Sequence, residues 1–170
     1  MRLIILGAGG YGRIIADVAA QIGLYHEIRF LDDASTAPDV VGTCEVFSQF
    51  NDGDTVFYPA FGKNQARMDW VRHLRSQNCR LATIIHPSAY VSPKAAIMPG
   101  TAILPKAVVN TGCLINTGCI VNCGAIVDRG CVLEEGVHVS LGAIVKGDNR
   151  IPAYKKIEAG DIVPSRTYPL

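Results

Sequence analysis

From Ile85 onward the chain keeps an aliphatic beat of six: Ile85, Val91, Ile97, Ile103, Val109, Ile115, Val121, Val127, Leu133, Val139, Val145, Ile151, Ile157 and Val163. Neither a helix nor a flat strand demands that period. Four residues after each beat stands a small or apolar residue: Ala89, Ala95, Thr101, Ala107, Cys113, Cys119, Ala125, Cys131, Val137 and Ala143. The residue before that one is often glycine, as at Gly100, Gly112, Gly118, Gly124, Gly130, Gly136 and Gly142. This is the hexapeptide pattern of a parallel β-helix.

Each hexapeptide makes one short strand and one turn, and three of them close a triangular coil. The aliphatic residue points inward and stacks on its equivalent one coil away, so Val91 lies under Val109, then Val127, then Val145. Coils spaced about 4.8 Å apart share parallel-sheet hydrogen bonds. One coil cannot bury its own face, so several stack. Leu114, Ile120, Ile126, Val132 and Ile144, next to the inward residues, exceed what one thin prism covers. A closed three-fold ring covers such faces, so a homotrimer is expected. Past Ala143 the small position holds Asn149, Lys155, Asp161 and Thr167. The regular prism is therefore expected to stop near Gly147, with a looser capping coil beyond it.

Before the repeat the pattern changes. Residues 2–6 (RLIIL) are a continuous apolar run, as for a strand buried on both faces. GAGGYG follows at 7–12, then a helical pattern of Ile14, Ile15, Val18, Ala19 and Ile22, closed by Gly23. Residues 28–31 make a second strand ending on Asp32 and Asp33, and 55–60 a third. A short element is expected around Cys44–Phe50. Met68, Val71 and Leu74 mark one face of a second helix, and 80–85 a last strand. The result is a βαβαβ half-Rossmann domain over 1–84, followed by the β-helix over 85–170.

Gly7, Gly9 and Gly12 fit GxGxxG between a strand and a helix, with Gly10 inside the same turn and Asp32 at the end of the next strand. Such a turn brings backbone N–H groups to phosphate oxygens, while the acid takes a ribose hydroxyl. Asp33 shares the carboxyl edge of the sheet, where ligands of such folds bind. Three readings stand: a mononucleotide or nucleotide-sugar site, an NAD site, or an empty structural turn. Only one half-fold precedes the repeats, which disfavours NAD.

With 16 basic and 15 acidic residues, nothing marks a nucleic-acid surface. The apolar start lacks the flanks of a signal peptide, and no apolar stretch is long enough to span a bilayer, so the chain reads as cytoplasmic. Cys113, Cys119 and Cys131 occupy small inward positions, and no CxxC spacing occurs, so no metal site is expected. His26 and His73 read as plain surface residues, and His86 as a hinge residue before Pro87.

The combination resembles the bacterial sugar O- and N-acyltransferases of surface-glycan biosynthesis, which join a half-Rossmann domain to a left-handed β-helix. These include the sialic acid O-acetyltransferases and UDP-amino-sugar N-acetyltransferases. The resemblance lies in GAGGYG at 7–12, FLDD at 30–33, Gly62 and Asn64 of GKN with Arg67, IHPSAYVSP at 85–93, and VDRGCVLEEGVHVSLGA at 127–143. It implies a sugar or UDP-sugar held by the N-terminal domain through Gly7, Gly9, Gly10, Gly12, Asp32, Asp33, Gly62 and Asn64. It implies acetyl-CoA along the β-helix between subunits of a trimer, near His138, Gly142, Ala143 and Gly147. Family members read V-D-H-[DE]-C, with histidine as general base; here Arg129 and Gly130 stand at those positions. Arginine stays protonated and cannot take a proton at neutral pH. The catalytic candidates are therefore His138, near the thioester, and Arg129, either a substrate clamp or a solvated arginine. His138 is itself either functional or a solvated surface histidine. The expected activity is acyl transfer from acetyl-CoA to a sugar; the rival is a trimeric homologue that binds a ligand or an active partner without transfer.

Overall fold

Leu3, Ile4, Ile5 and Leu6 are all fully buried, as a central strand between two helical layers requires. This strand, β1 (Arg2–Leu6), is flanked in parallel by β2 (Glu27–Leu31) and β3 (Thr55–Pro59), in the order β2-β1-β3. The helix α1 (Gly10–Ile22) connects β1 to β2 and ends on Gly23, whose φ of 73° lets its N–H reach Ala19 O. It buries Gly12, Ile15, Val18 and Ala19, whereas Ile14 points outward. A 3-10 helix (Cys44–Phe50) stands where a short element was expected. The helix α2 (Asn64–Ser76) buries Met68, Val71 and Leu74, the face read from the sequence, together with Arg67.

The computed structural model describes residues 1–170, which form two units, Met1–Ala82 and Thr83–Leu170. The expected strand over 80–85 is not continuous. Leu81 makes a single parallel bridge to Phe57, while Ile84–Ile85 already pairs with Ala102–Ile103 of the second unit. Six residues are too few to serve both a Rossmann sheet and the first coil.

The second unit is a left-handed parallel β-helix of two-residue strands in three sheets. Register is 18 residues throughout: Val91 pairs with Val109, Val109 with Val127, Val127 with Val145, and Val145 with Val163. The inward aliphatics from Ile103 to Ile157 and the small residues from Thr101 to Ala143 are buried. Every sixth residue from 100 to 166 has positive φ; eight are glycine, and the rest are Lys106, Asp148, Tyr154 and Arg166.

The prism does not stop near Gly147. Arg150–Ile151, Lys156–Ile157 and Ile162–Val163 pair in register with the coil before. Asn149 is fully buried at the small position. Its Nδ2 donates to Lys146 O at 2.7 Å and Pro164 O at 2.9 Å, and its Oδ1 accepts from Tyr168 N–H at 2.8 Å. The bond to Pro164 has counterparts at the other donor-bearing residues of this position. Thr101 Oγ1 donates to Asn116 O at 3.0 Å, Cys113 Sγ to Asp128 O at 3.0 Å, Cys119 Sγ to Glu134 O at 3.0 Å and Cys131 Sγ to Lys146 O at 3.3 Å. Each reaches a corner carbonyl 15 residues ahead that lies off the strand ladder. Where this position carries a donor, the donor takes that carbonyl, and asparagine does so as well as cysteine; Ala107, Ala125, Val137 and Ala143 fill the position without one. The six cysteines are all free thiols.

Of the apolar residues assigned to a subunit contact, Ile120 is fully buried within the chain, while Leu114, Ile126, Val132 and Ile144 are half-buried. Ile126 and Ile144 continue a row with Tyr90, Val108 and Ile162 on one sheet, and Tyr90 and Ile162 are exposed.

Candidate functional site

In the first unit the glycine turn separates into two kinds of glycine. A Cβ on Gly12 would lie 2.0 Å from Gly7 O, so only glycine lets α1 pack against the end of β1. Gly7 itself has φ of 100°. At Gly9 and Gly10 an added Cβ meets nothing within 4 Å, and neither has positive φ. Internal packing therefore requires no glycine at either position. What glycine supplies is room beside the start of α1, where Gly9 caps without any side-chain bond. That is the form of an anion cradle. Gly62 is likewise unconstrained by its neighbours.

Asp32 is already engaged. Its Oδ2 accepts from Ala8 N–H at 2.7 Å, and its Oδ1 from Ala34 N–H at 2.9 Å and Ser35 N–H at 2.7 Å. The Ala8 and Ala34 N–H groups hold its carboxyl below the usual range, with lesser help from Ser35 and the Arg13 charge, against a burial effect that opposes them. Asp32 thus locks the glycine turn to the end of β2. Asp33 Oδ1 accepts from Cys44 N–H at 2.8 Å and anchors the 3-10 helix. Asn64 Oδ1 accepts from Arg67 Nη2 at 2.9 Å, and Arg67 Nη1 donates to Phe61 O at 2.9 Å, which fixes the turn carrying Gly62. Tyr11 OH and Tyr58 OH lie 2.7 Å apart beside it, and burial pushes the Tyr11 phenol well up.

In the second unit the candidate residues fall into two groups. His138 starts a strand of one sheet, in the row Ala102–Ile120–His138–Lys156. Asn122 Oδ1 accepts from Cys123 N–H at 2.8 Å, which orients the amide. Its Nδ2 therefore faces His138 Nε2, 3.2 Å away, as donor. In that orientation Nε2 is the acceptor of this bond, and the other ring nitrogen, Nδ1, is buried. Two residues on, the Ser140 hydroxyl is buried and meets no hydrogen-bond partner in the protein, a costly state that a ligand acceptor or donor would relieve. Within the stretch GVHVSLGA the sequence does not single out Ser140, because serine is ordinary at a turn. Gly142 and Ala143 follow at the same corner. Their N–H groups are engaged by Cys123 O at 3.0 Å and Ser140 O at 3.1 Å, so neither donates to a ligand.

Arg129 and Gly147 belong to a different corner, after the strands Ile126–Val127 and Ile144–Val145 of another sheet. Arg129 Nη1 donates to Asp148 Oδ1 at 3.0 Å, and Arg166 Nη2 lies 3.5 Å from Asp148 Oδ2. A Cβ on Gly147 would lie 2.7 Å from Arg129 Nη1, so glycine there lets the arginine cross the coil. Asp128 Oδ1 accepts from Asn110 Nδ2 at 3.3 Å. A cleft of about 360 Å³ opens beside this cluster, lined by Asp148, Arg166, Pro169 and Leu170. Arg129 and His138 thus stand on different sides of the prism, and one chain does not bring them to one site. No group of three or more His, Cys, Asp or Glu is placed to hold a metal ion. No helix is long and apolar enough to cross a membrane.

Residues 2–74 match the family described as the PglD N-terminal domain. The chain is similar to the acetyltransferase domain of PglB from Neisseria gonorrhoeae FA1090: 35% identity, TM-score 0.93, covering 97% of this chain and 83% of that one. That domain has also been solved in complex with acetyl coenzyme A. Perosamine N-acetyltransferase from Caulobacter crescentus, solved with CoA and GDP-perosamine, shares the fold at 20% identity and TM-score 0.75, covering 97% and 89% of the two chains. WeeI from Acinetobacter baumannii AYE shares it at 15% identity and TM-score 0.58, covering 98% of each. No curated protein matches the chain at a significant level.

Proposed function

The chain belongs to the hexapeptide-repeat sugar acetyltransferases, and on that premise we propose that it transfers the acetyl group of acetyl-CoA to the amino group of a nucleotide-linked sugar. The observation that carries this reading is the likeness, over nearly the whole chain, to an acetyltransferase domain solved with acetyl-CoA. In this reading the first unit holds the nucleotide. Phosphate oxygens take the N–H groups at the start of α1, in the room left by Gly9 and Gly10. Asp32, Asp33 and Asn64 hold the turns in place, and Gly62 leaves space at the neighbouring one.

The thioester lies along the β-helix near His138 and the Ser140 hydroxyl. With Nε2 held by Asn122 and Nδ1 buried, His138 shapes this corner and does not act as the base. The corner at Gly142 and Ala143 gives the cofactor carbonyls and shape, not N–H donors, and Gly147 lies with Arg129. The acceptor nitrogen attacks the carbonyl carbon, a C–N bond forms, the C–S bond breaks, and CoA leaves as thiolate. The attacking amine's proton passes to solvent or to that thiolate.

Arg129 decides which acceptor fits. A hydroxyl is almost fully protonated at neutral pH and needs a general base. A sugar amine titrates near the range of an α-amino group, about 8, and supplies its own free base. A site with arginine in place of the base therefore suits an amine and not a hydroxyl. Residues on two sides of one prism are joined when copies pack side by side, which supports a homotrimer with sites at the subunit junctions. The test is incubation with acetyl-CoA and a nucleotide-linked amino sugar. Free CoA together with N-acetylated sugar supports the reading; neither product overturns it.

The Arg129–Asp148 pair also favours a second reading, a homologue that binds acetyl-CoA and the nucleotide sugar without transfer. Saturable binding of both without CoA release identifies it.

A further inference from the structure

The first unit holds a cavity that the acetyltransferase reading does not use. It measures about 370 Å³ and is lined by Glu45 and Phe47 of the 3-10 helix and by Asp69, Trp70 and His73 of α2. Its volume falls within the range of small-molecule sites. The three rings stand nearly perpendicular to one another, like three walls of a box. Phe47 and Trp70 are 6.1 Å apart at 84°, Phe47 and His73 5.1 Å apart at 78°, and Trp70 and His73 5.5 Å apart at 77°. The box is rigid at its base: Phe47 packs edge-on against buried Phe57, and Phe61 stacks on Trp70 at 11°.

Packing alone accounts for Phe47, which is buried. It does not account for an indole and an imidazole lining a concavity together with two carboxylates. Asp69 is kept in place by Gln65 Nε2, which donates to its Oδ1 at 2.7 Å. Aromatic rings are electron-rich on their faces and attract cations, most strongly for tryptophan. Carboxylates at the rim add charge of the sign a cation needs, and they disfavour the anionic phosphates that suit the glycine turn. The glycine turn lies at the start of α1, whereas this box is built from the 3-10 helix and α2.

We propose that Glu45, Phe47, Asp69, Trp70 and His73 form a second binding site, specific for a small organic cation bearing an alkylammonium group. The apolar walls take the alkyl part, and Glu45 and Asp69 neutralise the charge. The ligand enters and leaves without covalent change.

Trp70 is the only tryptophan in the chain, so its fluorescence reports on this cavity and on the Phe61 ring stacked against it. Full-length protein is titrated with tetramethylammonium chloride and with cadaverine, and with sodium chloride at matched ionic strength. The expected result is a saturable change in emission with the two organic cations and none with sodium. Glu45→Gln and Asp69→Asn change exposed positions and keep side-chain size. Each raises the midpoint about three- to fivefold, the effect of one partly solvated charge. A response that is linear, or equal to that of sodium chloride, overturns the site. So does a saturable response whose midpoint the double variant leaves unmoved. Circular dichroism of each variant, with an unchanged spectrum, shows that a lost response is not lost fold. If a peptide rich in lysine saturates the signal while both small cations fail, the box is a protein-docking feature and the small-molecule proposal is wrong.

Discussion

Arg129 Nη1 donates to Asp148 Oδ1 at 3.0 Å, so the position to which the family resemblance assigns a base holds one half of an ion pair between successive coils. The carboxylate holds the guanidinium in its charged form. Asp148 also lies 2.9 Å from where a Cβ on Gly130 would sit, and Gly130 has φ of 66°. Restoring the family's residues is therefore not a simple matter of two substitutions. Arg129→His alone leaves an imidazole beside Asp148, which can serve as its acidic partner. Adding Gly130→Glu strains the backbone and sets a second carboxylate against the first. General-base catalysis contributes roughly 10²–10⁴-fold. The expected order of CoA release is Arg129→His above the double variant, and both above the natural protein. A double variant faster than the single would contradict the role given to Asp148.

The two kinds of glycine in the first unit make opposite predictions. Gly12→Ala drives a methyl into Gly7 O and costs about 3 kcal/mol or more in thermal unfolding. Gly10→Ala, in the first turn of α1, leaves stability unchanged or raises it by about 0.5–1 kcal/mol. Its effect falls on binding: calorimetry with a nucleotide sugar is expected to show about a tenfold loss of affinity, since one methyl fills the approach to the helix start. Tight binding by Gly10→Ala would mean that the turn is structural.

Asp32 links this turn to pH. Its folded-state pKa is lowered, so its contribution to stability is present above the unfolded carboxylate value, about 3.9, and is lost as pH falls through the lower folded value. Asp32→Asn is expected to be less stable than the natural protein by about 1–2 kcal/mol at neutral pH, through loss of charge-assisted bonds to Ala8, Ala34 and Ser35. Unfolding curves for the two proteins should converge as pH falls below the unfolded carboxylate value and through the lower folded one. A difference independent of pH would assign the effect to side-chain shape and not to charge.

Asn149 predicts the behaviour of the last coils. Asn149→Ala leaves Tyr168 N–H without its partner and takes one donor each from Lys146 O and Pro164 O, which keep Cys131 Sγ and Thr167 Oγ1, and is expected to cost about 1–3 kcal/mol. Deleting 165–170 removes Tyr168, whose carbonyl accepts from Arg150 N–H at 2.7 Å, and should also lower the melting temperature. A deletion with no effect would show that Tyr168 adds nothing to the closing coil.

The period of six made the β-helix legible, because each beat is an inward residue and the register follows by counting. The chain's first strand, helix and glycine turn were equally plain. What the sequence concealed depends on contacts across coils or between distant loops. Asn149 looked like the end of a pattern because polarity was read without its bonding partner 15 residues on. Asp32 reads as a ligand contact in the sequence, which does not show that its oxygens also accept from Ala8, Ala34 and Ser35 N–H. His73 reads as a surface residue and is exposed, but nothing in the sequence sets its ring beside Phe47 of another element. Asn122, which bonds the His138 ring, is found only once the 18-residue coil brings the two close.

The acceptor most directly tests the account. CoA release is measured across pH with a nucleotide-linked amino sugar and with the corresponding hydroxyl sugar, each beside acetyl-CoA. Transfer without a protein base predicts that the amine is acetylated at a rate that climbs with pH and levels off near about 8, as the acceptor loses its proton. It predicts no measurable release with the hydroxyl sugar. Turnover of the hydroxyl sugar, or an amine rate flat from pH 6 upward, would contradict it by requiring a base that Arg129 cannot be.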